Sequence, residues 1–393
     1  MATPYKFGYE RTSFPVRFQE AAGFADTYGG SGGYVFFDFD LMKPEGSTSN
    51  TVIVFSHPIG GGAWLPMVTA LAEAGHHVIY SNGRYRGNDS ALIMEKCVID
   101  LGATIRFSKE ALGYEKVILG GWSGGGSLSL FYQQQAEKPT IMSTPAGDPL
   151  DLSKANLIPA DGIMLLAAHI SRAGTLTEWM DASILDEADP SKRDPELNLY
   201  NPDNPNQPPY SDAFLERYRS AQIERNRRIT AWVKSKLVEL RGAGGADMEH
   251  CFTVQGTMAD PRWLDPAIDS NQRKENWCFL GVPETVNNGP VGLARFCTLR
   301  SWMSQWSYDD SNADGIRCAQ DITIPVLVIG NLADDACTPS HTHRLYEAIG
   351  PEDKEIHEID GATHYYRNQP EQLAEAIGIC SRWMTAKNLT DIA

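Results

Sequence analysis

The chain has 393 residues, and 34 Lys and Arg against 50 Asp and Glu give a formal net charge of −16. That acidic balance argues against nucleic acid and anionic membrane surfaces as partners. The length exceeds a minimal domain, yet no repeat or long low-complexity linker divides it, so one core carrying a large insertion is expected.

After the glycine-rich turn Gly29-Gly30-Ser31-Gly32-Gly33, Tyr34 to Leu41 reads as a strand and Val52 to Ser56 as a buried one. Leu65 to Ala74 is helical, His77 to Ser81 a strand and Ala91 to Leu112 helical again. Val117 to Gly120 and Gly162 to Ala168 are further strands. This rhythm predicts an α/β fold with a mostly parallel sheet covered by helices on both faces. The rhythm stops after His169 and returns with a strand beginning at Ile324, a helix from Ser340 to Ile349, a strand from Lys354 to Ile359 and a helix from Glu371 to Met384.

Between the two parts lies a mainly helical segment with Trp179, Trp232, Trp263, Trp277, Trp302 and Trp306. It is expected to be a lid, which gives core residues 1–168, a cap over 169–320 and core residues 321–393. A long helix from Asp212 to Leu240 begins after Ser211 as N-cap. Ile229, Trp232, Val233, Leu237 and Leu240 define its buried stripe, Glu224 and Arg228 pair four apart, and the basic run Arg225 to Arg228 reads as a solvated face.

The most informative stretch is Val117 to Glu137, where an apolar run meets Gly121-Trp122-Ser123-Gly124-Gly125 and then a helical pattern. It fits the G-x-S-x-G nucleophile elbow, a strained strand-to-helix turn that tolerates only small residues two positions either side of the serine. The N–H of Gly124 then sits at a helix N-terminus, where unpaired donors and the helix dipole favour an oxyanion. Serine is also a preferred N-cap, so a base, an acid and a second donor are needed to complete the case.

His364, in a loop after the last predicted strand, falls at the carboxyl edge of a parallel sheet, where the elbow also opens. The loop after the preceding strand offers Asp334 and Asp335, whose successive side chains cannot both face His364. The glycine-rich turn His57-Pro58-Ile59-Gly60-Gly61-Gly62 can supply a backbone donor, Ile59 N–H or else Gly60 N–H. No Gly-Lys-Ser/Thr follows that turn and GxGxxG is absent, which argues against a nucleotide site.

Serine, acid and histidine in this order, on loops after successive strands, resemble the α/β-hydrolase superfamily. The match covers residues 34–168 and 321–388, and Arg86-Gly87-Asn88-Asp89-Ser90 looks like the R-G-x-x-S loop of that fold. The resemblance implies Ser123 as nucleophile, His364 as base and Asp335 as acid, the last favoured over Asp334 by its spacing to Pro339. It implies Gly124 and Ile59 as the oxyanion hole. His57-Pro58 stands where His-Gly is commoner, and His57, Trp122 and His169 are candidate pocket residues.

The implied activity is hydrolysis of an ester or lactone of a bulky, apolar or aromatic small molecule, without cofactor or metal. Acyl transfer, carbon–carbon bond hydrolysis and non-catalytic ligand binding are the alternatives. A serine nucleophile argues against dehalogenases and epoxide hydrolases, which use a carboxylate. His341 and His343 form a lone H-x-H that reads as surface helix. Seven scattered cysteines without a C-x-x-C pair suit a reducing compartment. With no secretory pattern in residues 1–20 and no apolar run of spanning length, a cytoplasmic protein acting on a small molecule is expected, a homodimeric state being left open.

Overall fold

The computed structural model describes residues 8–20, 33–245 and 248–390, so most of the glycine-rich turn at Gly29 to Gly33 lies outside the described residues. Eight strands form one sheet: β1 (Tyr9–Gln19), β2 (Tyr34–Pro44), β3 (Thr51–Ser56), β4 (Val78–Ser81), β5 (Lys116–Ser123), β6 (Gly162–Ala168), β9 (Val326–Asn331) and β10 (Lys354–Ile359), in the order β1-β2-β4-β3-β5-β6-β9-β10. β2 is antiparallel to both its neighbours, and the strands from β4 to β10 are mutually parallel.

The central strands β3, β6 and β9 are buried along their whole length. This explains why they read as continuous apolar runs rather than alternating ones. β1 escapes that pattern because it is an edge strand with mostly exposed residues and Pro15 inside it, which an edge tolerates.

Helices cover both faces. α1 (Pro66–Glu73) and α10 (Pro370–Ala386) bring Val68, Leu71, Ile377 and Trp383 onto one side. α2 (Met94–Glu110), α3 (Gly125–Glu137), α8 (Gly315–Asp321) and α9 (Pro339–Ala348) bring Leu101, Leu128, Cys318 and Leu345 onto the other. α8 thus packs with the sheet, whereas its place before residue 321 puts it in the expected insertion.

Between β6 and β9 the chain adds no strand to the large sheet. It forms α4 (Arg172–Trp179), the 31-residue α5 (Asp212–Gly242), the short ladder of β7 (Cys251–Thr253) with β8 (Phe296–Thr298), α6 (Pro283–Asn288) and α7 (Leu299–Ser301). The hydroxyl of Ser211 accepts the Phe214 N–H at 3.3 Å and caps α5. Ile229, Val233 and Leu237 bury one stripe of α5 against Trp302 and Trp306, each side chain adding roughly 1.5–3 kcal/mol.

Three expectations for α5 fail. Trp232 is 40% exposed and leans on Phe252, because it sits at the margin of the stripe. Arg225, expected in solvent, is 1% exposed and donates to the carbonyls of Asp181, Gln255 and Gly256 and to Glu187. Arg228 also turns to Glu187 instead of Glu224. Among the described residues, no helix is long and apolar enough to cross a membrane.

Candidate active site

β5 ends at Ser123, whose φ of 52° is a left-handed conformation that costs a side-chain-bearing residue about 1–3 kcal/mol. The strain persists because the flanking glycines permit close approach. A Cβ on Gly125 would lie 2.3 Å from the Ser56 carbonyl oxygen, and one on Gly121 would lie 2.8 Å from the Cα of Gly126. The turn projects the Ser123 hydroxyl beyond the sheet and leaves Gly124 as N-cap of α3.

His364 Nε2 lies 3.1 Å from Ser123 Oγ, and its Nδ1 lies 2.8 Å from Oδ2 of Asp334. An ionised carboxylate can only accept, so the proton belongs on Nδ1 and Nε2 is left to accept the serine hydroxyl. Oδ1 of Asp334 accepts the N–H groups of Ala336 at 2.7 Å and Cys337 at 2.8 Å, and the residue is fully buried.

The acid partner of His364 is therefore Asp334, which corrects the expectation of Asp335. The Asp334 N–H bonds the Asn331 carbonyl in a tight turn, which aims its side chain at the imidazole. Asp335, one residue on, has no hydrogen bond to His364; burial, reinforced by the charge of Asp334, pushes its carboxyl up to about 6.

The insertion holds this loop in place. Asn271 donates to the Asp334 carbonyl at 2.9 Å, the Trp263 indole to that of Asp335 at 3.2 Å, and the Gln272 N–H to that of Leu332 at 2.6 Å. Arg262 donates to Thr338 Oγ1 at 2.8 Å and pairs with Asp260 and Glu178. Burial alone would raise Glu178, but Arg262 and His341 outweigh it and hold the carboxyl well below its usual range. His341, expected at the surface, is in fact buried, with Nε2 2.8 Å from Glu178, whereas His343 is exposed.

The oxyanion loop treats the two candidate donors differently. Gly60 N–H, the alternative donor, is used within the turn by the His57 carbonyl at 2.8 Å. Ile59 N–H points at Nδ1 of His57 over a long 3.3 Å, so it is only weakly held. Nε2 of His57 stands 2.7 Å from where a Cβ on Gly124 would be, so the ring closes the space beside the serine. Burial, followed by the charge of Arg172, pulls His57 down to about 3 and keeps it neutral.

A cavity of about 310 Å³ brings together Ser123, Gly124, Ile59, His57, Trp122 and His169, each singled out from sequence. Trp122 rests on the His364 ring with 4.6 Å between centroids and lies beside Tyr365. His169 donates its N–H to the Ser123 carbonyl at 3.0 Å, and its Nδ1 is buried without a partner. Sequence reasoning missed Arg172 and Phe279 on the same walls, and named Asp89 and Trp306 without placing them there. Arg172 follows β6 by four residues, and that position at a carboxyl strand end was the available signal. A larger hollow of about 520 Å³, walled by Glu178, Arg219, Asp309 and Arg344, contains none of the serine, histidine and acid groups.

Asp334, Cys337 and His364 bring three ligand-type atoms within 4.8 Å of one another. They suit a metal poorly, because both Asp334 oxygens are already committed and burial pushes the Cys337 thiol up, away from the thiolate.

Four histidines are held neutral chiefly by burial: His57 at about 3, His76 and His77 at about 4, and His169 well below its ordinary value. An unfolded chain takes up these protons near pH 6.5, so stability is full above that pH and is lost as pH falls towards 4. Each group is expected to cost roughly 1–2 kcal/mol by pH 5. Thermal unfolding midpoints at pH 7.5, 6 and 5 check this; a midpoint that rises on acidification would contradict it.

The sequence matches no family model and no curated protein. Among solved structures it is similar to a monoacylglycerol lipase from Paleococcus ferrophilus, at 16% identity over 96% of this chain and 99% of that one, with a TM-score of 0.43. An esterase domain from a Rhodothermus marinus protein gives 12%, 95%, 98% and 0.45. An α/β fold family hydrolase from Bacillus anthracis gives 15%, 89%, 95% and 0.41. With β2 antiparallel to both β1 and β4, a parallel sheet ordered β4-β3-β5-β6-β9-β10, and a serine elbow closing β5, the chain has the α/β-hydrolase fold.

Proposed function

We propose that this chain is a serine hydrolase that cleaves a carboxylic ester or lactone through an acyl-enzyme on Ser123. The observation that carries the reading is the continuous relay from Ser123 Oγ to His364 at 3.1 Å and on to Asp334 at 2.8 Å. Ser123 Oγ attacks the ester carbonyl while His364 Nε2 takes the hydroxyl proton, and Asp334 stabilises the imidazolium. The oxyanion lies against Gly124 N–H and Ile59 N–H, the latter exchanging its weak bond to His57 for the stronger charged acceptor. Each such donor is worth on the order of 3 kcal/mol to the transition state.

The carbon–oxygen bond then breaks, and His364 returns its proton to the departing alcohol. Water, deprotonated by the same nitrogen, attacks the acyl-serine and releases the acid with Ser123 restored. The aromatic walls formed by Trp122, Trp179, Phe279 and Trp306 support a bulky apolar or aromatic substrate.

Intact mass after exposure to a fluorophosphonate probe tests the reading. One label on the wild type, none on Ser123→Ala and strongly slowed labelling of His364→Ala are expected. A folded wild type that takes no label would sink the proposal and favour a ligand-binding role.

A further inference from the structure

The cavity beside Ser123 is largely apolar, and among the residues that line it Arg172, 6% exposed, brings the one guanidinium. This arginine is the first residue of α4, at the carboxyl edge of the sheet beside the elbow. Its guanidinium lies over the Trp306 ring at 4.2 Å. Nη2 donates to Oδ2 of Asp89 at 2.7 Å, the one ion pair it makes among the described residues. Nε is buried without a partner. Nη1 takes no protein acceptor among the described residues, so a group entering the cavity can meet it.

An arginine has five donor hydrogens in a fixed fork, and buried donors left unmatched are costly. Four further polar atoms on the cavity walls are also buried without partners: the Trp306 indole nitrogen, Thr175 Oγ1, Tyr80 Oη and His169 Nδ1. The indole can only donate, whereas the two hydroxyls can donate or accept. Arg172 Nε and the Trp306 indole nitrogen are thus donors left without acceptors on the wall they share. Its charge is nevertheless balanced, because Asp89 neutralises Arg172 and burial keeps His57 neutral. A carboxylate entering here would add an uncompensated charge to a largely apolar cavity, whereas a neutral oxygen satisfies the fork without one.

We propose that Arg172 forms a specificity subsite for a neutral oxygen acceptor, a ketone or a second ester carbonyl, carried by the substrate a few bonds from the scissile ester. This deepens the hydrolase reading of the same cavity and rests on it. Arg172 is then a binding residue, and Asp89 and Trp306 position its fork.

The test compares p-nitrophenyl hexanoate with its 4-oxo and 5-oxo analogues and with the p-nitrophenyl monoester of glutaric acid. For one oxo position the wild type is expected to show kcat/KM at least tenfold above that of the plain alkyl ester. The ratio is expected to fall to within about twofold in Arg172→Met, and also in the charge-neutral pair Arg172→Met with Asp89→Asn. Because the readout is a ratio within each variant, a partial loss of folded enzyme cancels.

Equal rates for oxo and alkyl esters in a wild type that still takes the fluorophosphonate label would overturn the subsite and leave the hydrolase reading standing. The subsite is equally overturned if the preference survives in both variants, or if the glutarate monoester is preferred over every oxo ester. A wild type that neither labels nor turns over any ester would overturn both.

Discussion

Ser123→Ala is expected to lower kcat for an activated ester by about 10⁶-fold, and His364→Ala by a similar factor. The two residues share one proton at 3.1 Å, so each depends on the other. Without the imidazole the hydroxyl is a weak nucleophile at neutral pH, and without the hydroxyl the imidazole has nothing to activate. The double variant should therefore be no slower than either single one. What survives in all three is the contribution of substrate binding and of the amides at Gly124 and Ile59. Steady-state rates with p-nitrophenyl hexanoate decide it; losses that multiply in the double variant would show that the two side chains act independently and that the relay is not the machinery.

The second large effect separates two neighbouring carboxylates. Asp334→Asn is expected to reduce kcat by about 10⁴-fold, because an amide can present its NH₂ to Nδ1 and favour the wrong imidazole tautomer. Asp335→Asn, which alters a carboxyl with no hydrogen bond to His364, is expected to stay within about tenfold of wild type. Matched circular dichroism of the two variants would exclude misfolding as the cause. A larger loss in Asp335→Asn than in Asp334→Asn would restore the acid expected from sequence spacing.

That choice marks where the sequence stops being legible. Ser123 and His364 can be read because the elbow glycines and the strand-end loop are local signals, written within a few residues of the group they serve. Asp334 cannot be separated from Asp335 in this way, because what aims it is a turn onto Asn331 and donors from residues 263–272, far away along the chain. Strands β6 and β10 are legible to the residue, since burial or register keeps their pattern uniform. β1 is not, because an exposed edge with a proline lacks that pattern. Arg225 and His341 mislead for a shared reason: charge in a sequence suggests solvent, but each meets its acceptors only after the insertion folds onto itself or onto α9. Arg172 is silent likewise, because its partners Asp89 and Trp306 lie on opposite sides of it in the chain.

The three hydrogen bonds from Trp263, Asn271 and Gln272 onto the loop of Asp334 bear on how this architecture can vary. An insertion that only roofed the cavity could be exchanged for another, altering substrate choice and sparing the chemistry. Here the same segment that shapes the cavity also braces the acid, so selectivity and reactivity share a structural element. The insertion is consequently not a modular part: transplanting it, or replacing it, changes the aim of the carboxylate along with the shape of the binding site.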